Sequence, residues 1–245
     1  MPSFVIHYIT GNKLLNDIKM NEDDKLLFLL GNLIPDSSKN NKKDIQKEKL
    51  ITHFRRIEDS NTNLMAPYPN DFLDKYKDLI NNPTVLGYFY HLWIDRYYLK
   101  EIFTNNFEFL DKDYNKTDYL DKTVFVKIKK NNNIITRKEL FSYEYLYDDY
   151  TTINNLLLKK YKLEFNEDNI RKVLPKFKNP GIEEVDYNNV EQIISDMKIF
   201  IEESKKRNNN ELKVLDKNEI INFIEESPKI FIKENKELLK KYKYR

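Results

Sequence analysis

Pro83-Thr84-Val85-Leu86-Gly87-Tyr88-Phe89-Tyr90-His91-Leu92-Trp93-Ile94-Asp95-Arg96-Tyr97-Tyr98 is the stretch on which the fold of this chain turns. A proline followed by a long run without breakers predicts a helix from Thr84 to Thr104, with Leu86, Tyr90, Trp93, Tyr97 and Ile102 among its many apolar and aromatic members. A helix that is apolar on several faces belongs at the centre of a bundle. His91 and Asp95 are four residues apart on it, so an imidazole and a carboxylate share one face about one turn apart, suitable for chelating a single cation. Tyr88, Tyr90, Trp93, Tyr97 and Tyr98 are read as core, because aromatic residues on a central helix usually pack rather than bind.

On the N-terminal side, Ser3 can cap a helix carrying Phe4, Ile6, Ile9, Leu14, Leu15 and Ile18 at helical spacing, which places His7 in its second turn. A second apolar run from Leu26 to Ile34 should break at Pro35-Asp36-Ser37-Ser38, leaving Asp36 at a helix-to-loop boundary. The stretch from Lys39 to Lys49 reads as solvated and leads into a short helix around Leu50 to Arg56 that bears His53. Pro67, Pro69 and Pro83 bracket a further helix from about Asp71 to Ile80.

On the C-terminal side the period changes. Val124-Phe125-Val126-Lys127-Ile128 and Ile134-Ile135-Thr136 flank Asn131-Asn132-Asn133 and predict one β-hairpin over 123–136. Helical patterns return at about Tyr143 to Lys160, Glu167 to Phe177 and Val190 to Lys206, and in two segments after Lys217. The expectation is a mainly α protein, a multi-helix bundle with one small hairpin. Residues 1–162 would form the principal domain, and 163–245 a helical extension packed on it.

Bulk properties narrow the function classes. Of 245 residues, 42 are basic and 40 acidic, interleaved to a formal charge of +2, so no nucleic-acid stripe stands out. With no cysteine, disulfides, thiolate nucleophiles and cysteine-based zinc sites are excluded, and any metal must be held by histidine, carboxylate or backbone oxygen. No apolar run approaches the ~20 residues of a membrane span, and Met1 to His7 lacks a signal-peptide pattern, so cytoplasmic residence is the default expectation.

The three histidines, His7, His53 and His91, all fall in the first 91 residues, which invites one shared site. Of four glycines, Gly11 lies one turn after His7, Gly31 five residues before Asp36, and Gly87 one turn before His91. Glycine in a helix interior costs about 1 kcal/mol relative to alanine, so this placement points to close packing around those segments. Imidazole nitrogen and carboxylate oxygen together suit zinc best, with iron or manganese less favoured. His7, Asp36, His53, His91 and Asp95 exceed the three protein ligands usual for one catalytic zinc. The reading therefore leans towards two ions sharing Asp95 or Asp36, with one ion and an outer partner as the alternative.

Pro2-Ser3-Phe4-Val5-Ile6-His7, Leu30-Gly31-Asn32-Leu33-Ile34-Pro35-Asp36, Thr52-His53-Phe54 and Leu86 to Asp95, in that order, resemble the motifs of the zinc-dependent phospholipase C family, in its intracellular-looking hydrolase branch. The resemblance covers roughly the first 105 residues. It implies an all-α, phospholipase C and P1 nuclease-like bundle with a polar cleft. Asp36, His53, His91 and Asp95 would surround one zinc, and His7 with Asp95 would serve a neighbouring one. It also implies that Asp36 both ligates and accepts a proton from water. Secreted members use further histidines and a glutamate for a third zinc, and no histidine follows His91 here; Glu101 or the carboxylates of Asp148 and Asp149 are the substitutes, with Asp149 the candidate ligand.

The expected function is metal-dependent hydrolysis of a small phosphoester or lipid-headgroup substrate by metal-activated water, with Arg55 and Arg96, and less so Arg56, as phosphate clamps. The alternative is a non-catalytic helical binding or scaffold protein with a residual structural metal. An HD-type phosphohydrolase is disfavoured because no adjacent His-Asp pair is present.

Overall fold

The computed structural model describes residues 2–40, 45–177, 180–185, 187, 190–207 and 211–242. The protein is mainly helical, with one small antiparallel sheet. Helices α1 (Phe4–Asp17) and α2 (Glu22–Gly31) are followed by a 3-10 segment, Ile34–Asn40, that bears Asp36, and by α3 (Ile45–Thr52). α4 (Pro69–Tyr76) precedes the central α5 (Pro83–Tyr98), which widens into a π-helical turn, Leu99–Phe103, before the short α6 (Thr104–Asn106). After the sheet come α7 (Arg137–Leu140), α8 (Leu146–Tyr161), α9 (Glu167–Arg171), α10 (Val190–Lys205) and α11 (Lys217–Glu234).

Local chemistry explains the main boundaries. The Asn21 side chain caps α2 by accepting from the Asp24 amide at 2.8 Å, and Glu22, Asp23 and Asp24 complement the positive helix end. Asn82 caps α5 in the same way through Thr84 N, with Pro83 in the first turn, where its missing N–H is harmless. Ser3 occupies the N-cap position of α1 but donates its hydroxyl to Asn154 Oδ1 at 2.5 Å instead of capping, because α8 lies against that end. Proline breaks the helix expected over 167–177, where α9 gives way to a 3-10 turn containing Pro175.

The hairpin forms as expected. β2 (Phe125–Ile128) pairs with β3 (Asn133–Thr136) antiparallel, with Phe125 opposite Thr136 and Ile128 opposite Asn133. Asn132 supplies the left-handed turn residue at φ 60°. A third strand, β1 (Phe107–Leu110), adds to the other edge of β2; four residues directly after an apolar helix carry too little alternation to reveal it. Two helical segments were expected after Lys217, but α11 runs unbroken through Pro228 and turns occupy 235–241. Ile224, Pro228 and Phe231 lie on one buried face, so packing overrides the local break. No helix among the described residues is long and apolar enough to cross a membrane.

α5 is the hub. Tyr88, Tyr90, Ile94 and Tyr98 are fully buried, and Phe231 of α11 sits edge-on to Tyr90 and Trp93 at 4.8 and 5.3 Å. α2 crosses α5 at glycine on both sides. A Cβ on Gly31 would stand 2.1 Å from the Thr84 carbonyl oxygen, and one on Gly87 would stand 2.1 Å from that of Phe28. No side chain fits there without moving backbone. Gly87→Ala should therefore lower stability by about 1–3 kcal/mol or more through overpacking. Helix propensity alone would instead raise it by about 1 kcal/mol. The urea midpoint of the variant against wild type reads the sign directly.

Candidate metal centre

The residues expected as ligands arrive from four separate elements. His7 is on α1, Asp36 on the 3-10 segment, His53 one residue past the end of α3, and His91 and Asp95 on α5; all are between 0% and 5% exposed. His53 thus lies beyond a helix end rather than within a helix, in a turn where Phe54 adopts φ 49°.

Hydrogen bonds fix the orientation of each imidazole. His91 Nδ1 lies 2.9 Å from the Asn32 carbonyl oxygen, which can only accept, so Nδ1 carries the proton and Nε2 presents its lone pair. The Asn32 side chain donates from Nδ2 to the His7 carbonyl at 2.7 Å, tying α1 to the same residue. His53 Nδ1 contacts the Thr52 hydroxyl at 2.9 Å, and the Tyr88 hydroxyl on α5 holds the Thr52 carbonyl. His7 Nε2 meets Asp95 Oδ1 at 3.2 Å, while its ring stacks on that of His91 at 3.9 Å and 7°.

The resulting donor set has the spacing of a coordination shell. His53 Nε2 lies 3.4 Å from His91 Nε2, 3.6 Å from Asp36 Oδ1 and 3.6 Å from Asp95 Oδ2, and His91 Nε2 lies 3.8 Å from Asp95 Oδ2. Tetrahedral neighbours around an ion with bonds of about 2.0–2.1 Å stand roughly 3.4 Å apart. Asp95 Oδ2 is buried without a hydrogen-bond partner among the described residues, as an oxygen awaiting a cation would be. Two overlapping groups, His7/His91/Asp95 and Asp36/His53/His91, could hold a metal ion.

Electrostatics prepare the set for a cation. Burial drives the His53 pKa well below the ordinary imidazole value and that of His91 down to about 4, despite the opposing pull of Asp95 and Asp36. Both rings are therefore neutral near pH 7, the form that metal ligation requires. Burial would raise the Asp95 pKa, but its hydrogen bond with His7 and the proximity of His91, His7 and His53 outweigh that and hold it well below the usual carboxylate range. Lys49 Nζ lies 3.4 Å from Asp36 Oδ1, which corrects the reading of that lysine as part of a solvated face. Arg55 is lowered by burial and raised by Asp95 and Asp36, so it too senses both carboxylates.

Asp36, Lys49 and Arg55 form the polar end of a cavity of about 1000 Å³. Phe4, Met65, Phe103, Phe141 and Phe200 give it an apolar body, and Arg137 lines it with its guanidinium 4.9 Å from the Phe141 ring. Asp196 and Glu203 of α10 face it as well.

Other expected site residues lie elsewhere. Asp149 does not join the cluster: Oδ1 accepts from the Lys213 amide at 2.8 Å and Oδ2 from those of Val214 and Leu215 at 2.8 and 2.7 Å, so three backbone amides engage the carboxylate. Asp148 pairs with Arg207 and Lys213, and Glu101 with Lys100. Arg96 is exposed, donates to the Pro67 carbonyl at 2.8 Å and lies against Tyr68, so it does not reach the cluster. Arg56 forms a two-pronged pair with Asp71 at the surface. Asn32, Lys49 and Thr52 contact the cluster and were passed over by residue-type reasoning. Asn32 and Thr52 were adjacent to conspicuous groups, Gly31 and His53, whereas Lys49 carried no signal that set it apart from its lysine-rich surroundings.

Comparison of the chain with protein-family profiles, curated proteins and solved structures finds no match.

An imidazole whose folded pKa lies below its unfolded value is protonated first in the unfolded chain, so stability falls as pH drops from about 6.5 towards 4. His91 alone accounts for a loss on the order of 3 kcal/mol across that window. Asp95, depressed rather than raised, keeps its contribution until the pH reaches the ordinary carboxylate range. Urea unfolding with a chelator present, followed from about pH 7 to pH 4.5, should show the midpoint falling steadily. A flat midpoint would contradict burial of neutral histidines.

Proposed function

We propose that this protein is a metal-dependent phosphoester hydrolase, similar to the zinc-dependent phospholipases C. The observation that carries the reading is the position of Asp36, which belongs to a buried His/Asp metal-binding group and also faces a large cavity beside Lys49 and Arg55. A potential ligand with access to solvent-sized space, next to two cations, fits a centre with an open position better than a closed structural one.

A divalent ion bound there supplies acidification of water and neutralisation of charge on a phosphoryl oxygen. The protein's own groups do the rest. Asn32 keeps the His91 Nε2 lone pair inward, and Thr52 with Tyr88 holds His53 in place. Asp36, whose Oδ1 lies 3.4 Å from Lys49 Nζ, would accept the proton of an attacking water. Arg55 and Lys49 attract and orient an anionic phosphoryl group. The apolar body of the cavity accommodates an ester substituent of some size, and its lining favours a substituent with apolar or aromatic character.

A second reading rests on the near-complete burial of His7, His53, His91 and Asp95: a structural ion in a non-catalytic helical scaffold. The two separate on activity.

Elemental mass spectrometry of the purified protein should find a divalent metal near stoichiometry, lost in His91→Ala and Asp95→Ala. In a phosphoester screen, Asp36→Asn should lower kcat by about 10²–10⁴-fold. Arg55→Met should lower kcat/KM by about 10–100-fold. Arg96→Met should leave both unchanged. Stoichiometric metal with no turnover of any phosphomonoester or phosphodiester would favour the scaffold.

A further inference from the structure

The two candidate groups both require His91, yet His91 has one nitrogen to give. Nδ1 is bound to the Asn32 carbonyl, so Nε2 alone can ligate, and a single imidazole nitrogen serves one ion. Only one of the groups can be completed.

Ring geometry decides which. His53 and His91 stand edge to face at 71°, with their Nε2 atoms 3.4 Å apart, a separation that one ion bound by both nitrogens would span. His7 and His91 are stacked at 7°, so their in-plane lone pairs run parallel. An ion shared between those two rings would sit out of both planes, where neither lone pair reaches it. His7 Nε2 instead meets Asp95 Oδ1, leaving Oδ2 of the same carboxylate facing His53 and His91.

Charge points the same way. Lys49 lies beside Asp36, and Arg55 is coupled to both Asp36 and Asp95, so the two carboxylates already face two cations before any metal enters. One divalent ion would leave this group at a formal +2 and a second would double that, so charge opposes the second ion more strongly than the first.

We propose that the centre holds one divalent ion on Asp36, His53 and His91, with Asp95 Oδ2 beside them, and that His7 is a positioning residue that aims Asp95 and backs the His91 ring. Lys49 and Arg55 supply the positive charge that a second ion would otherwise bring. The inference deepens the metal-dependent reading given above and takes the one-ion alternative over a second ion on His7 and Asp95, because the His7 nitrogen that faces Asp95 is taken up by Oδ1.

Titration of the chelator-treated full-length protein with Co²⁺ tests it through the visible d–d absorption, without reference to turnover. One break at one equivalent is expected. His7→Gln, whose amide can still donate to Asp95, should keep that stoichiometry, spectrum and affinity. His7→Leu, which cannot donate, should keep one equivalent but bind it about 10–100-fold more weakly. Two breaks in the wild type, no binding at all, or loss of one equivalent in His7→Gln would overturn the proposal, and the wild-type titration decides even if a variant fails to fold. Two ions with phosphoester turnover would sink this inference alone, whereas one ion without turnover would sink only the proposed activity.

Discussion

The backbones of α2 and α5 meet at Gly31 and Gly87, where any side chain would collide with a carbonyl of the facing helix. That approach brings the end of α2 to His91. Asn32, the residue immediately after Gly31, places its carbonyl on His91 Nδ1 and its side-chain amide on the carbonyl of His7. One asparagine therefore fixes the tautomer of one imidazole and the height of the helix bearing another. Were the helices separated by the width of a methyl group, the Asn32 to His91 bond would be lost and a buried polar ring would be left unsatisfied, at about 1–3 kcal/mol.

α5 reconciles a polar centre with an aromatic core by dividing its circumference. Gly87, His91 and Asp95 follow one another at intervals of four residues, a stripe that starts at the α2 crossing and ends at the carboxylate shared by the three histidines. Tyr90 and Trp93 face α11 through Phe231. Tyr88 bridges the two regimes: its ring stacks on Phe72 of α4 at 4.8 Å, while its hydroxyl holds the carbonyl beside His53. The aromatic residues are core, as their position on a central helix implied, but this one also sets the geometry of the polar cluster.

Much of this was legible in the residues. Periodicity located the main helices and the hairpin, glycine placement announced the close packing, and the scarcity of histidine made His7, His53 and His91 natural companions. What stayed hidden depends on contacts between distant segments. Nothing local distinguishes Asp149, which binds three amides, from Asp36, which joins the cluster. Lys49 resembles every other lysine of its run until α3 folds against the 3-10 segment. Arg55 and Arg96 both adjoin candidate ligands in sequence, yet Arg55 is partly buried where it feels the charge of Asp95 and Asp36, whereas Arg96 is exposed and bonds Pro67.

Asp149 carries a further consequence for how the cavity is built. Its carboxylate binds the amides of residues 213–215, and Asp148 beside it pairs with Arg207, so the start of α8 grips the segment linking α10 to α11. α10 in turn contributes Phe200, Ile199, Asp196 and Glu203 to the cavity wall. The acidic pair at the head of α8 thus acts on the site indirectly, by holding in place a wall that comes from the C-terminal third of the chain. The His/Asp cluster comes from the first 95 residues and much of the chamber from α8 and α10, so the polar cluster and the shape of the cavity are written in different parts of the sequence.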